Sequence, residues 1–174
     1  MDYTPPFRFC PSCGSNRLQG NGERRLSCPD CGFVFYLNVG AAAAILLLNP
    51  RNELLLIRRA KDPGKGLLGV PGGFVDPGEP IETALRREMK EEVNLEIEAI
   101  DFLASFPNDY PFGGVIYPTL DLYFTGRVSS FEQALALDEV EELVIRPVDS
   151  IADDEVAFES FRRALRFYRD LNSS

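Results

Sequence analysis

GGFVDPGEPIETALRREMKEEVNL, residues 72–95, joins a glycine-rich loop to the beginning of an amphipathic helix. Pro80 marks the beginning of this helix, because the missing N–H of proline is not needed in the first turn. The pattern predicts that the helix continues to Val93 and ends at Asn94, since asparagine tolerates the left-handed conformation that follows many helices. At about 100° per residue, one arc of the helix is apolar and is expected to face the core. Its members are Ile81, Ala84, Leu85, Met89 and Val93.

Three glutamates lie on or beside this apolar arc. Glu88, Glu91 and Glu92 are spaced i, i+3 and i+4, so their carboxylates share one patch of helix surface. Like charges repel there, and partial burial adds to the cost, so a divalent cation that neutralises them is the favoured interpretation. Oxygen ligands suit hard ions such as Mg²⁺ or Mn²⁺. A solvated acidic face is the alternative, but such a face belongs opposite the apolar arc.

The spacing of this stretch resembles the Nudix box, G-x5-E-x7-R-E-U-x-E-E-x-G-U, where U is a bulky apolar residue. The match begins at Gly73, includes Glu79 and Arg87, and ends at Leu95. Asn94 replaces the final glycine of the pattern and can adopt the same backbone conformation. The resemblance implies an α/β fold, an α/β/α sandwich with a mixed sheet. It also implies hydrolysis of a nucleoside diphosphate linked to another moiety.

The resemblance also implies roles for the residues of the box. Glu88 and Glu92 would be ligands of Mg²⁺ or Mn²⁺. Glu91 would be a further ligand, or an acid that contacts the ligands without binding the metal itself. The carbonyl group of Gly72 would bind the same metal. Arg87 would pair with Glu79 and brace the loop that contains Gly73 against the helix.

The general base must be a carboxylate, because the chain contains no histidine. In many Nudix proteins a glutamate in the loop before the last core strand approaches the metal. By that resemblance Glu139 is the expected candidate, in an acidic run that includes Glu141 and Glu142. A solvated acidic loop is the competing interpretation of this run.

The first 36 residues contain two copies of the motif C-P-x-C-G. Cys10 and Cys13 belong to the first copy, and Cys28 and Cys31 to the second. Four thiolates in two such turns are typical of a structural zinc site, with disulfides or a rubredoxin-type iron centre as alternatives. A module this small buries little core, so the metal would stabilise it. We therefore expect a zinc ribbon at residues 1–36 and a Nudix domain at residues 37–174.

The rest of the chain is expected to alternate strands with turns. Strands are predicted at 33–38, 39–48, 53–59, 96–105, 120–128 and 143–148, and the second and third should form a hairpin. An aromatic, proline-rich loop is predicted at 106–114, and a turn of helix at 131–137. An amphipathic helix is predicted from Val156 to Leu171, with core residues Phe158, Phe161, Leu165 and Tyr168.

A zinc ribbon directly before a Nudix domain resembles the NADH pyrophosphatases. Asn108 stands where their motif after the box has tryptophan, whereas Pro111, 16 residues beyond Leu95, resembles the proline of ADP-ribose pyrophosphatases. ADP-ribose or an NADH-like dinucleotide is therefore the expected substrate. Arg58 and Arg59 are expected to contact its phosphates, with solvated surface charge as the competing interpretation. Phe106 and Tyr110 are expected to contact a ring of the substrate, with a role in the core of the loop as the competing interpretation.

Charge and hydropathy limit the partners. The net charge of −9 argues against nucleic acid as a partner, and no apolar run reaches the roughly 18 residues of a membrane span. The N-terminus lacks the pattern of a signal peptide, which predicts a cytoplasmic protein. A homodimer is compatible with the sequence. The alternative function is a non-catalytic Nudix protein that senses a ligand and uses its ribbon for a macromolecular partner. The intact carboxylates favour an enzyme.

Overall fold

A computed structural model describes residues 7–20, 25–97 and 99–172. Its strands are β1 (Gln19–Gly20), β2 (Arg25–Ser27), β3 (Val34–Tyr36), β4 (Gly40–Leu48), β5 (Glu53–Arg59), β6 (Leu68–Gly69), β7 (Gly72–Phe74), β8 (Ile100–Phe112), β9 (Val115–Arg127) and β10 (Val140–Pro147). Its helices are α1 (Ile81–Val93) and α2 (Glu159–Asn172), with 3₁₀ turns at Val148–Ser150 and Asp153–Glu155. Parts of the predicted ribbon, 1–6 and 21–24, lie outside the described residues, as do Glu98 and residues 173–174.

The larger sheet is mixed, with the strand order β10-β5-β4-β9-β8. β4 and β9 are parallel, in register from Gly40 opposite Thr119 to Leu48 opposite Arg127. The other pairs are antiparallel, and the short strands β6 and β7 pair with β5 and β4.

Each face of this sheet carries its own core. Because side chains alternate along a strand, β4 contributes Ile45 to the core that contains Leu85 of α1, and Leu46 to the core that contains Phe161 of α2. A sheet between two helices confirms the predicted α/β sandwich.

Helix α1 is the element that the sequence predicts most closely. It ends at Val93, and Asn94 has the left-handed conformation, with φ 55° and ψ 31°. Its apolar arc is buried at Ala84, Leu85 and Met89. Pro80 lies one residue before the helix. The local signals of capping and periodicity therefore account for this helix.

The predicted loop at 106–114 is wrong. β8 continues through it to Phe112, and only Gly113 and Gly114 form the turn into β9. Pro107 and Pro111 are tolerated because β8 is an edge strand, where one row of backbone nitrogens needs no partner. The predicted hairpin of β4 and β5 is limited to one pair, Leu48 opposite Leu54, since β4 continues beside β7 and β9.

Two further predictions need correction. Residues 131–137 form a turn closed by the hydrogen bond from Ala134 N to Phe131 O, followed by irregular chain, and contain no helix. The last helix begins at Glu159, because Val156 instead forms a parallel bridge with Leu68.

The strands β1, β2 and β3 form a separate antiparallel sheet that ends at Tyr36, while the larger sheet begins at Gly40. The domain boundary after residue 36 stays a prediction. No helix within the described ranges is long and apolar enough to cross a membrane. The cytoplasmic location stays a prediction.

Candidate metal and substrate site

Glu92 is the most deeply buried acid of the box, with 8% of its surface exposed. One of its carboxylate oxygens accepts a hydrogen bond from the N–H of Gly72 at 2.9 Å. Burial raises the pKa of Glu92 to about 8, and the negative charge of Glu88 acts in the same direction. An ionised carboxylate in this place is therefore costly unless a positive charge accompanies it.

Neither Gly72 nor Gly73 accepts a side chain, because the loop lies close to β4 at the first and to the helix residue Glu88 at the second. Gly72 has φ 147°, and a Cβ there would lie 2.2 Å from the carbonyl oxygen of Ala43. A Cβ at Gly73 would lie 2.4 Å from a carboxylate oxygen of Glu88. The pairing of β7 with β4 holds both glycines in place.

Arg87 connects the loop with the helix. Its guanidinium group binds both carboxylate oxygens of Glu79, at 3.1 and 3.0 Å, and also Glu88 at 2.7 Å and Glu91 at 3.1 Å. A further N–H donates to the carbonyl oxygen of Phe74 at 3.2 Å. Burial raises the pKa of Glu88, while its hydrogen bond to Arg87 acts against the increase. One cation thus contacts three carboxylates and holds Glu88 and Glu91 on one side.

The chemistry of this group suits a divalent cation. Glu88 and Glu92 are largely buried acids with raised pKa values, and all their donor atoms are oxygens. Glu91, half-exposed, lies at the rim. The three carboxylates are not drawn into one compact cluster, since Glu92 turns to Gly72 while Arg87 holds the other two.

A cavity of about 410 Å³ adjoins the glutamates. Of the predicted site residues it is lined by Gly72, Gly73, Arg87, Glu88, Glu91, Glu92, Arg59, Tyr110 and Glu139. Several of its other lining residues were not predicted from the sequence. These include Asp76, Asn108, Thr119, Asp121, Tyr123 and Phe158, together with Ala42 and Ala44 of β4.

One wall of the cavity is aromatic. The ring of Tyr110 lies 5.2 Å from that of Phe74, edge to face, and 5.9 Å from that of Phe158. The guanidinium carbon of Arg59 lies 5.1 Å from the centre of the Phe158 ring. Phe158 was predicted to be a core residue only. It is half-buried and lines the cavity, so this prediction needs correction.

Two predicted substrate contacts do not reach this cavity. Arg58 donates to Glu142 at 2.8 Å and to the carbonyl oxygen of Gly66 at 2.9 Å, because successive residues of a strand face opposite ways. Phe106 packs beneath α2, with the guanidinium carbon of Arg163 4.5 Å from its ring centre. Neither residue lines the cavity.

Glu139 is at the rim, directly before β10. Its carboxylate forms an ion pair with Lys61 at 3.0 Å, and its backbone carbonyl accepts a hydrogen bond from Ala60 N at 2.9 Å. The hydrogen bond to Glu139 raises the pKa of Lys61. The structure thus brings a carboxylate from a distant segment to the same cavity as the box.

The polar residues of β9 could have been found from their spacing. Thr119, Asp121 and Tyr123 alternate at i, i+2 and i+4, a pattern that places all three on one face of a strand. This pattern can be recognised only if the strand is known to include Thr119, whereas the strand predicted from the sequence begins at Leu120.

The four cysteines form a second candidate metal centre. Cys10 and Cys31 sulfurs are 3.7 Å apart, as are those of Cys13 and Cys28, and all four lie within 4.8 Å of one another. Both motifs turn alike: Gly14 N donates to Cys10 O, and the N–H of the second glycine donates to Cys28 O. None of the four forms a disulfide. Four thiols in this arrangement fit a tetrahedral zinc ion.

We expect about one zinc ion per chain after purification without chelator. The Cys28→Ser variant should lose it, because a hydroxyl is a poor substitute for a buried thiolate ligand. Elemental analysis measures this, with Ser12→Ala, an exposed change in the other cysteine motif, as the control that keeps its zinc. Iron in place of zinc would contradict the assignment.

A mixed sheet between two helices, with a glycine loop closed over buried glutamates, defines an α/β protein suited to bind a divalent cation beside a ligand cavity. The family model described as the NUDIX domain matches residues 38–167. The chain therefore belongs to the NUDIX domain family.

The chain also matches curated proteins, one of them over 95% of its length. The NAD-capped RNA hydrolase NudC of Deinococcus radiodurans is 29% identical over 168 residues, 95% of this chain and 58% of that protein. NudC of Stutzerimonas stutzeri is 34% identical over 64% of this chain and 41% of its own. The human mitochondrial NAD(P)H pyrophosphatase NUDT13 is 32% identical over 63% of this chain and 30% of its own. The chain thus spans no more than 58% of the length of these relatives.

Solved structures share the fold. A NUDIX hydrolase from Nitrosomonas europaea has a TM-score of 0.72 at 22% identity, over 96% of this chain and 93% of its own. The NUDIX domain of Shewanella oneidensis NrtR, complexed with ADP ribose, has a TM-score of 0.63 at 19% identity, over 83% and 92%. The expectation that nucleic acid is no partner has no support here, because relatives are named for capped RNA.

Proposed function

We propose that this chain is a Mg²⁺- or Mn²⁺-dependent pyrophosphohydrolase. Its substrate class is a nucleoside diphosphate derivative such as ADP-ribose or an NADH-like dinucleotide. The observation that carries the proposal is a pair of carboxylates, the largely buried Glu88 and the buried Glu92, at the wall of a cavity of about 410 Å³. The names of the relatives, which refer to NAD caps and NAD(P)H, support the same substrate class.

The box residues would hold the cation. In this proposal Glu88, Glu91, Glu92 and the carbonyl group of Gly72 are the ligands. The cation, when bound, polarises phosphate oxygens and lowers the pKa of the attacking water. Arg87 keeps Glu88 and Glu91 in place through its hydrogen bonds, and its pairing with Glu79 fixes the guanidinium group itself.

Glu139 is the proposed general base. Its carboxylate is half-exposed at the cavity rim and accepts the proton of the attacking water. The ion pair with Lys61 restrains the side chain, and the hydrogen bond from Ala60 N to its carbonyl oxygen restrains the backbone. Lys61 contacts only one carboxylate oxygen, so the other is available to accept a proton.

The aromatic wall would bind the ring end of the substrate. Tyr110 and Phe158 present faces to which a base or nicotinamide ring can stack, and Arg59 beside them can approach a phosphate. The cavity volume falls within the usual range of small-molecule sites, about 300–1,000 Å³.

Tyr110→Ala should raise KM about fivefold to tenfold for ADP-ribose or NADH and change kcat less, because stacking binds substrate and transition state alike. Steady-state kinetics measure this. Tyr36→Ala, an exposed tyrosine of β3, is the matched control and should keep both constants. A loss confined to kcat would contradict the stacking role.

A substrate panel with Mg²⁺ or Mn²⁺ tests the proposed function. ADP-ribose, NADH and NAD-capped RNA should be cleaved within the diphosphate, so that ADP-ribose and NADH each give AMP and a second phosphate monoester. Activity confined to nucleoside triphosphates would contradict the substrate class. Tight binding of ADP-ribose or NADH with no product would instead favour the ligand-sensing alternative.

A further inference from the structure

A second buried acid lines the same cavity and belongs to a strand outside the glutamate box. Asp121 of β9 has 8% of its surface exposed. One carboxylate oxygen accepts a hydrogen bond from the Thr119 hydroxyl at 2.7 Å, and the other accepts one from the Ser160 hydroxyl at 2.6 Å. Ser160 lies 3.0 Å from the hydroxyl of Tyr123. Because the one proton of Ser160 goes to Asp121, Tyr123 is the donor in that pair.

These contacts keep Asp121 as a hydrogen-bond acceptor. In the part of the chain that the structure describes, no lysine or arginine forms an ion pair with it. Its partners are neutral hydroxyls, and Ser160 is the second residue of α2, where the positive end of the helix dipole favours a negative charge. Each carboxylate oxygen can accept more than one hydrogen bond, so both retain capacity for a ligand.

The surroundings of Asp121 leave space for a ligand group. Its cross-strand neighbour on β4 is Ala42, which also lines the cavity and whose methyl group occupies little of it. Asp121 tethers β9 to α2 through Ser160, but an uncharged side chain could make the same tether. A carboxylate that also borders the cavity adds a negative potential to its wall.

The two acidic regions of the cavity suit different parts of one ligand. Near the box, a bound divalent cation would offset the charge of a diphosphate. Near Asp121 the described residues offer hydroxyls that already donate to the carboxylate, so a phosphate or carboxylate there would meet repulsion. Amino and hydroxyl groups, by contrast, would find an acceptor.

We propose that Asp121 is a specificity-determining residue that accepts a hydrogen bond from an amino or hydroxyl group of the substrate's nucleoside part. It excludes phosphate and carboxylate groups from that end of the cavity. This inference rests on the proposed function, because it requires a dinucleotide-like ligand. It assigns to β9 a part in substrate choice that is separate from the chemistry at the box.

The test compares NAD⁺ with three analogues in equilibrium binding, in magnesium-free buffer so that no turnover occurs. The hypoxanthine analogue lacks the adenine amino group, the nicotinic acid analogue carries a carboxylate in place of the carboxamide, and NADP⁺ carries an added phosphate. The wild type should bind at least one analogue about tenfold or more weakly than NAD⁺. Asp121→Asn should reduce that ratio to about threefold or less.

Asp101→Asn is the matched control, because it makes the same change at an exposed position on β8, and it should keep the wild-type ratio. A wild type that binds all three analogues as well as NAD⁺, or an Asp121→Asn variant with unchanged discrimination, would overturn the inference. A wild type that does not discriminate overturns the inference even if the variant fails to fold. Discrimination without hydrolysis under Mg²⁺ would overturn the proposed function alone. Neither binding without Mg²⁺ nor hydrolysis with Mg²⁺, for any panel member, would overturn both.

Discussion

Glu92→Gln is expected to lower kcat by about 10²–10³-fold with little change in the fold. The substitution removes the negative charge of a proposed metal ligand but keeps the shape of the side chain. Its amide oxygen can still accept the hydrogen bond that Gly72 N–H donates at 2.9 Å. Steady-state kinetics with Mg²⁺ and the melting temperature separate the two effects.

Glu82→Gln is the control for this change, since Glu82 is an exposed acid in the first turn of the same helix. It should keep the wild-type rate. If the Glu92 variant hydrolyses the best substrate of the panel at nearly the wild-type rate, Glu92 does not hold the catalytic cation.

The raised pKa of Glu92 also predicts a pH dependence for the metal-free protein. Its ordinary value of 4.5 applies to the unfolded chain, whereas the folded value is about 8. Between these values the folded state binds more protons than the unfolded state, so the free energy of unfolding should decrease as the pH rises through this range. Urea unfolding in chelated buffer should show this decrease in the wild type, and a smaller one in Glu92→Gln.

Gly72→Ala is expected to destabilise the protein by about 3–5 kcal/mol, or to prevent folding. The added Cβ would lie 2.2 Å from the carbonyl oxygen of Ala43 and 2.6 Å from Cα of Ala44. Both atoms belong to the backbone of β4, a central strand whose pairing with β9 prevents it from moving away. The φ of 147° adds strain for any residue with a side chain.

Gly78→Ala provides the comparison. Gly78 also has a positive φ, 86°, but a Cβ there meets no atom within 4 Å, so the cost should be about 1 kcal/mol. Urea unfolding of both variants measures the difference between strain alone and strain with a backbone collision. Equal stability of the two variants would show that β4 yields to the added methyl group.

The parts of the fold that the sequence predicted depend on local interactions. Capping at Asn94 and the apolar period of α1 lie within one segment, and so do the box residues that this segment places together. The course of β8 depends on a distant fact, its position at the sheet edge, which makes Pro107 and Pro111 acceptable. Residue types that usually break a strand could not reveal this.

The lining of the cavity shows the same difference between local signals and long-range contacts. Arg58 and Arg59 are adjacent, and only the pairing of β5 decides which of them faces the cavity. Asp121 and Phe158 lie far beyond the end of the box at Leu95 in the sequence. The parallel pairing of β4 with β9 and the position of α2 bring them to the cavity. Such long-range contacts leave no signature in the local pattern.

The prolines of β8 have a consequence for how this sheet meets other chains. The backbone hydrogen-bonding groups of residues 107, 109 and 111 point away from β9. Pro107 and Pro111 have no N–H to donate to β9, and Asp109 lies opposite Pro118, which has no N–H to donate to Asp109. Two of these three outward positions therefore lack a donor, and the third carries an acid. An approaching strand would find carbonyl acceptors here but few N–H donors, which disfavours pairing along this half of the edge and so protects it from aggregation. A homodimer that continues the sheet by pairing strands along residues 107–111 is therefore disfavoured.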